Sequence, residues 1–213
     1  APTGGGKTLA GFLPSLVELG AQPPPGLHTL YVSPLKALAA DIRRNLARPV
    51  AETGLAIRIE DRTGDTSARM RARQRIDPPH ILLTTPESLA LMLSYPEAPA
   101  IFAGLGRVIL DEIHALTESK RGDQLALGLA RLETLAPGMR RVGLSATVED
   151  PPALARFLGG AARVLEADPG PEPEVVILET PEPPPWAGQG GRYAARAVMA
   201  LVRAHRTTLV FLN

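Results

Sequence analysis

The sequence predicts an α/β fold, a mostly parallel sheet flanked by helices, followed by the beginning of a second α/β unit. Three observations carry this. Short apolar, β-rich runs at 27–33, 55–60, 80–84, 107–111 and 141–144 each precede a longer helix-like stretch, the alternation that builds parallel sheets. The run at 107–111 is apolar on both faces, as a central strand covered by helices must be. Prolines then crowd the stretch 167–191, after which an α/β pattern starts again.

Taken in order, residues 9–19 read as a helix with a kink expected at Pro14, and 20–26 as a Pro-rich turn. The strands and helices through 166 make one domain, 1–166. Pro169, Pro171, Pro173, Pro181, Pro183, Pro184 and Pro185 surround one β-like island at 175–178, so 167–191 reads as an interdomain connector. Beyond it, 193–205 is helical in pattern and 207–212 strand-like, which makes 192–213 the start of a second domain. No internal repeat is visible.

Composition limits the functional classes. In 213 residues with 45% apolar content, no apolar run is long enough to cross a bilayer. The absence of cysteine excludes a disulfide framework and thiolate metal sites, and fits a reducing, cytoplasmic location. A formal net charge of +1 means that any nucleic-acid binding must rely on locally placed cations. Lys7, Lys36 and Lys120 are the lysines and the other basic residues are Arg, an excess that follows coding composition as readily as phosphate recognition. With no starting Met and a phosphate loop at its first residues, the chain is expected to lack residues that precede Ala1.

That loop is Ala1-Pro2-Thr3-Gly4-Gly5-Gly6-Lys7-Thr8. A Gly-rich turn opening a helix presents backbone N–H groups to phosphates, because glycines put no side chains in the way and the helix N-terminus adds positive potential. Thr3, Gly4, Gly5 and Gly6 form the cradle, Lys7 sets an ammonium on the β and γ oxygens, and the Thr8 hydroxyl coordinates Mg2+. A chance Gly-rich turn would also fit, so a second motif has to decide.

Asp111-Glu112-Ile113-His114 is that motif. At a P-loop site one carboxylate at a neighbouring strand end holds the hydrated metal, the role of Asp111, and a second deprotonates the attacking water, the role of Glu112. Adjacent carboxylates at the end of an apolar strand are seldom structural, since burying two negative charges without a cation is costly. ATP and Mg2+ are therefore the expected ligands. A lone His114 would read as a packed histidine; directly after Asp-Glu-Ile a coupling role is the better reading.

On these residues the chain resembles the DExH box of superfamily two helicases. Ser33-Pro34-Leu35-Lys36-Ala37-Leu38 resembles motif Ia, Thr85-Pro86-Glu87-Ser88 motif Ib, Ser145-Ala146-Thr147 motif III and Thr208-Leu209-Val210-Phe211-Leu212-Asn213 motif IV. Arg62-Thr63-Gly64-Asp65-Thr66 and Ser119-Lys120-Arg121-Gly122 narrow the resemblance to the Lhr (large helicase-related) family. Gly122-Asp123-Gln124-Leu125-Ala126-Leu127 looks like its bacterial branch associated with a DNA ligase in repair.

The resemblance implies a RecA-like P-loop NTPase domain and an ATP-driven motor that moves 3′ to 5′ along single-stranded or partly duplex DNA, with DNA-ligase repair proteins as possible partners. Pro34, Leu35, Lys36, Thr85, Pro86 and Glu87 would hold the sugar-phosphate backbone without reading bases, and His114, Ser145 and Thr147 would couple nucleotide state to strand grip. Arginine fingers would come from beyond Asn213, which leaves the fragment nearly inactive alone. Plain alternatives stand beside these roles: Thr85 and Ser88 as helix caps, Lys36 as a solvated lysine, and Arg69, Arg71, Arg73 and Arg75 as a solvated helix face. An exosome-type DExH RNA helicase, or a nucleotide-dependent clamp without turnover, are the competing functions.

Overall fold

The computed structural model describes residues 6–21, 23–117, 119–146, 148, 150–159, 162–166, 172–179 and 193–211. It divides into two compact units, 1–170 and 171–213.

In the first unit five strands form a parallel sheet: β1 (Thr29–Val32), β2 (Ile59–Arg62), β3 (Ile81–Thr84), β4 (Arg107–Leu110) and β5 (Arg140–Gly143), in the spatial order β2-β3-β1-β4-β5. β1, β3 and β4 are buried at every residue, which explains their unbroken apolar runs: helices cover both faces. Successive side chains point to opposite faces and feed two cores. Leu30, Val32, Leu82, Val108 and Leu110 pack with α4 (Pro86–Leu93), α5 (Ala98–Phe102) and α7 (Lys120–Leu135). Tyr31, Ile81, Leu83 and Ile109 pack with α1 (Lys7–Ala21) and α2 (Lys36–Glu52). The unit also contains α3 (Ala68–Ile76), α6 (His114–Thr117) and α8 (Pro151–Leu158).

Local chemistry sets the helix starts at the functional edge. The Thr85 hydroxyl caps α4 by accepting from Ser88 N at 3.4 Å, with Pro86 at the first helical position. Ser119 caps α7 by accepting from Gly122 N at 3.2 Å. Gly122 is required for a different reason: a Cβ there would lie 2.0 Å from the Leu116 carbonyl oxygen.

Four expectations are corrected. The strand expected at 55–60 forms at Ile59–Arg62, because pairing with β3 begins only at Ile59↔Ile81. Leu55 and Ile57 pack on the α1/α2 core, but their N–H groups bond locally, to the Val50 and Leu55 carbonyls. α1 runs unbroken through Pro14, which sits exposed on the helix. The island at 175–178 is exposed and joins no ladder. In the second unit α9 (Ala195–Ala204) matches the expected helix, whereas 207–211 forms no strand: an isolated β segment has no neighbour to bond with. Residues 212 and 213 lie outside the described residues.

Candidate functional site

The carboxyl edge of the sheet collects the residues singled out in the sequence. α1 approaches it closely, for at Gly11 a Cβ would meet Leu144 at 3.1 Å and Ile109 at 3.6 Å. The next residue, Phe12, stacks on Tyr31, with ring centroids 5.4 Å apart. Lys7 therefore opens the helix about one and a half turns before that contact, roughly 7.5 Å along the axis. Gly6, at φ +75°, adopts the left-handed turn that glycine favours and caps the first turn through its carbonyl, which accepts from Ala10 N at 2.9 Å. Thr8 is half-buried in the first turn; Thr3, Gly4 and Gly5 lie outside the described residues.

Lys7 Nζ is shielded from solvent and has no hydrogen-bond partner. An ammonium buried in that way is costly unless an anion meets it. Asp111, just past β4, is 8% exposed. Its Oδ1 accepts from Glu112 N at 3.0 Å and its Oδ2 from the Tyr31 hydroxyl. Burial, and then the bond to Asp111, push the Tyr31 phenol far above its ordinary range, so it is a donor at any pH the fold meets.

Glu112 has φ +46°, a strained backbone for a residue with a side chain. Both neighbours hold it there: Asp111 N bonds the Val32 carbonyl at 2.9 Å, and Ile113, buried in the core, bonds the Leu144 carbonyl at 3.1 Å. His114 follows, with Nδ1 2.7 Å from Ser145 Oγ and 3.5 Å from Glu112 Oε2. One imidazole thus touches both the second carboxylate and the loop after β5. Thr147 lies outside the described residues.

A second group lies along the loops after β1 and β3. Leu35 N donates to Ser33 Oγ at 3.4 Å, and Lys36 pairs with Asp65 at 2.9 and 3.1 Å. Arg121 Nε donates to Glu87 Oε1 at 2.5 Å while its Nη2 donates to the Pro34 carbonyl at 2.8 Å. Burial raises the Glu87 pKa, but hydrogen bonds led by Arg121 outweigh it and hold the carboxyl below its ordinary value. Pro34 is half-buried, and Pro86 is buried at the start of α4. Thr85 and Ser88 do serve as helix cap and capped residue. Arg71 donates to the Gly64 carbonyl, Arg73 pairs with Glu60 and Arg75 with Glu97, so these three are tied down, while Arg69 is exposed.

Three residues of the site had no assigned role in the sequence. Tyr31 was hidden in an aliphatic strand, although a phenol in such a strand always needs a partner. Arg121 and Asp65 lie in quoted motifs, but their contacts span 34 and 29 residues and have no local signature.

The donor set fits ATP with Mg2+. Lys7 offers an unpaired cation for phosphate oxygens, and Thr8 and Asp111 are hard oxygen ligands on one sheet edge. Among the described residues no cluster of three or more His, Cys, Asp or Glu could hold a metal ion. Also among the described residues, no helix is long and apolar enough to cross a membrane.

Residues 1–154 match the DEAD/DEAH box helicase family. The chain belongs to that family. Along its whole length this helicase domain is 41% identical to the Lhr helicase/probable uracil glycosylase of Mycolicibacterium smegmatis and 38% identical to the Lhr helicase/uracil glycosylase of Escherichia coli. It spans 15% and 16% of those proteins. A solved structure of Mycobacterium smegmatis helicase Lhr bound to ssDNA and AMP-PNP superposes with a TM-score of 0.82 at 40% identity, over all of this chain and 29% of that one. The helicase domain is thus RecA-like, with a parallel sheet between two helical layers.

Proposed function

We propose that the chain is the ATP-binding half of an Lhr-type DNA motor, with residues 1–166 as the first RecA-like domain, 167–191 as connector and 192–213 as the start of the second domain. The observation that carries the reading is the buried, unpartnered Lys7 ammonium at the sheet edge that also holds Asp111 and Glu112.

Thr3, Gly4, Gly5, Gly6 and Lys7 hold the phosphates, and Thr8 and Asp111 hold the metal. Mg2+, when bound, neutralises charge on the β and γ phosphates. Glu112 orients a water in line with the γ phosphorus and takes its proton as the new P–O bond forms and the bond to the β oxygen breaks. His114, 2.7 Å from Ser145 Oγ and 3.5 Å from Glu112 Oε2, passes the change at the γ position to the loop after β5. Thr147 is assigned to the same coupling. Pro34, Leu35, Lys36, Thr85, Pro86 and Glu87 hold the backbone of one strand. Lys36 offers its ammonium, and Thr85 and Pro86 offer the N-terminus of α4, contacts that do not depend on base sequence. Glu87 would repel phosphates; Arg121 neutralises it.

DNA is favoured over RNA because a 40% identical relative was solved on single-stranded DNA with an ATP analogue. Movement 3′ to 5′, a place in DNA repair, association with a DNA ligase and a cytoplasmic location follow from the Lhr resemblance. The test is ATP hydrolysis by the full-length protein with single-stranded DNA, single-stranded RNA or neither. DNA should stimulate turnover, and residues 1–213 alone should bind nucleotide weakly and turn it over hardly at all. Stimulation by RNA alone would favour the RNA helicase reading, and no stimulation by either would favour a clamp.

A further inference from the structure

Asp111 can serve a metal only if its carboxylate holds one orientation, because a side chain free to turn about its last torsion spreads its oxygens over many positions. Three features hold it. The Glu112 backbone N–H occupies Oδ1 at 3.0 Å. The Tyr31 phenol occupies Oδ2. The phenol itself is immobile: Tyr31 is 0% exposed, stacked on Phe12, and set in the central strand β1.

Strand register explains the reach. Tyr31 pairs with Ile109 on β4, and Asp111 lies two residues further along the same face. The phenol ring, leaning along the strand, spans that offset. Tyr31 is the one residue of β1 whose side chain combines a ring with a hydroxyl, and phenylalanine would fill the apolar volume without a polar atom to satisfy. The hydroxyl thus answers to polar partners and not to packing: it donates to Asp111, with the Ser33 hydroxyl beside it. Two residues after Tyr31, Ser33 is fully buried and accepts from Leu35 N at the head of the strand-gripping segment. The strand that carries the phenol therefore runs directly from the metal carboxylate to the DNA-holding loop.

We propose that Tyr31 is a positioning residue for nucleotide hydrolysis, its phenol fixing the Asp111 carboxylate in the orientation that meets the nucleotide-bound metal. This rests on the reading of Asp111 as the metal ligand. Each carboxylate oxygen keeps a free lone pair after its internal hydrogen bond, so the two bonds orient the group without using up its capacity for a metal.

The experiment measures binding of a fluorescent, non-hydrolysable ATP analogue to the full-length protein as Mg2+ is titrated, for the wild type, Tyr31→Phe, Asp111→Asn and Leu30→Val. Tyr31→Phe should raise the half-saturating Mg2+ roughly ten- to hundredfold, as expected for a lost hydrogen bond to a charged group, while binding of the analogue in EDTA stays at the wild-type value. Asp111→Asn should lose most of the Mg2+ dependence. Leu30→Val, on the opposite face of β1, should lower thermal stability without moving the Mg2+ midpoint. If Asp111→Asn behaves as expected but the Tyr31→Phe midpoint matches wild type, or moves no more than that of Leu30→Val, Tyr31 is structural and the proposal is overturned while the metal reading stands. If Asp111→Asn keeps the wild-type Mg2+ dependence, the reading of Asp111 fails and the proposal with it.

Discussion

Arg121 donates from Nε to Glu87 Oε1 across 2.5 Å, joining the N-terminus of α7 to that of α4, and the same guanidinium reaches the Pro34 carbonyl at 2.8 Å. Two segments read as strand-gripping are thereby fixed relative to each other by one planar fork of donors. Arg121→Lys keeps the charge and loses the fork. It should weaken single-stranded DNA binding about five- to tenfold, the scale of one ordinary hydrogen bond, and leave DNA-free nucleotide binding unchanged. Fluorescence anisotropy with a labelled oligonucleotide checks both halves of the statement.

His114 and Ser145 form the contact between the second carboxylate and the loop after β5. His114→Ala should leave nucleotide affinity close to wild type but lower DNA-stimulated hydrolysis and strand displacement about tenfold, by removing one bond that changes with nucleotide state. Ser145→Ala should do the same, and the double variant should cost little more than either single one, since each removes the His114–Ser145 bond. Fully additive losses would place the two residues on separate routes.

Gly122 tests the packing that presents Arg121. A Cβ at this position would sit 2.0 Å from the Leu116 carbonyl oxygen, an atom of the backbone that cannot swing aside. Gly122→Ala should destabilise the fold by about 3 kcal/mol or more, the upper range for overpacking, and urea unfolding reads it directly. Gly54, where a Cβ meets nothing within 4 Å but φ is +67°, should tolerate alanine better, at about 1 kcal/mol of backbone strain.

Stability should also depend on pH through two histidines at the other end of the sheet. Burial lowers the pKa of His28, against an opposing pull from Glu18, and burial lowers that of His80 beside Arg58. Arg58 N donates to His80 Nδ1 at 3.0 Å, a bond that a protonated nitrogen cannot accept. With both folded values below the ordinary 6.5, the unfolded chain binds more protons in that window, so stability falls as pH drops below about 6.5. Glu18, held below its ordinary value chiefly by Arg107, adds a loss of the same sign further into acid. Melting temperatures from pH 7.5 to 5 should decline, and the decline above pH 5 should shrink in a His28→Gln, His80→Gln double variant.

Much of the sheet was legible because its central strands are apolar at nearly every position, and four of the five runs predicted from sequence fall on β1, β3, β4 and β5. The edge strand β2 was displaced because Leu55, Ile57 and Ile59 share an apolar alternation, yet only Ile59 has a ladder partner on β3. Hydrogen bonding to a neighbour leaves no trace in one strand's own pattern. The same limit applies at the site. Gly6, Lys7, Asp111 and Glu112 could be singled out because short motifs contain them, whereas Tyr31 meets Asp111 across a strand pair, 80 residues away. Sequence motifs single out candidate groups; the contacts those groups make come from the fold.

The central claim, ATP hydrolysis with Glu112 as the base, is tested most directly by Glu112→Gln in the full-length protein, measuring nucleotide binding and DNA-stimulated phosphate release in the same preparation. The amide keeps the size of the side chain and cannot take a proton. Binding should be retained and release should fall about 10²- to 10⁴-fold, the usual range for a lost general base. Release at the wild-type rate would contradict the account.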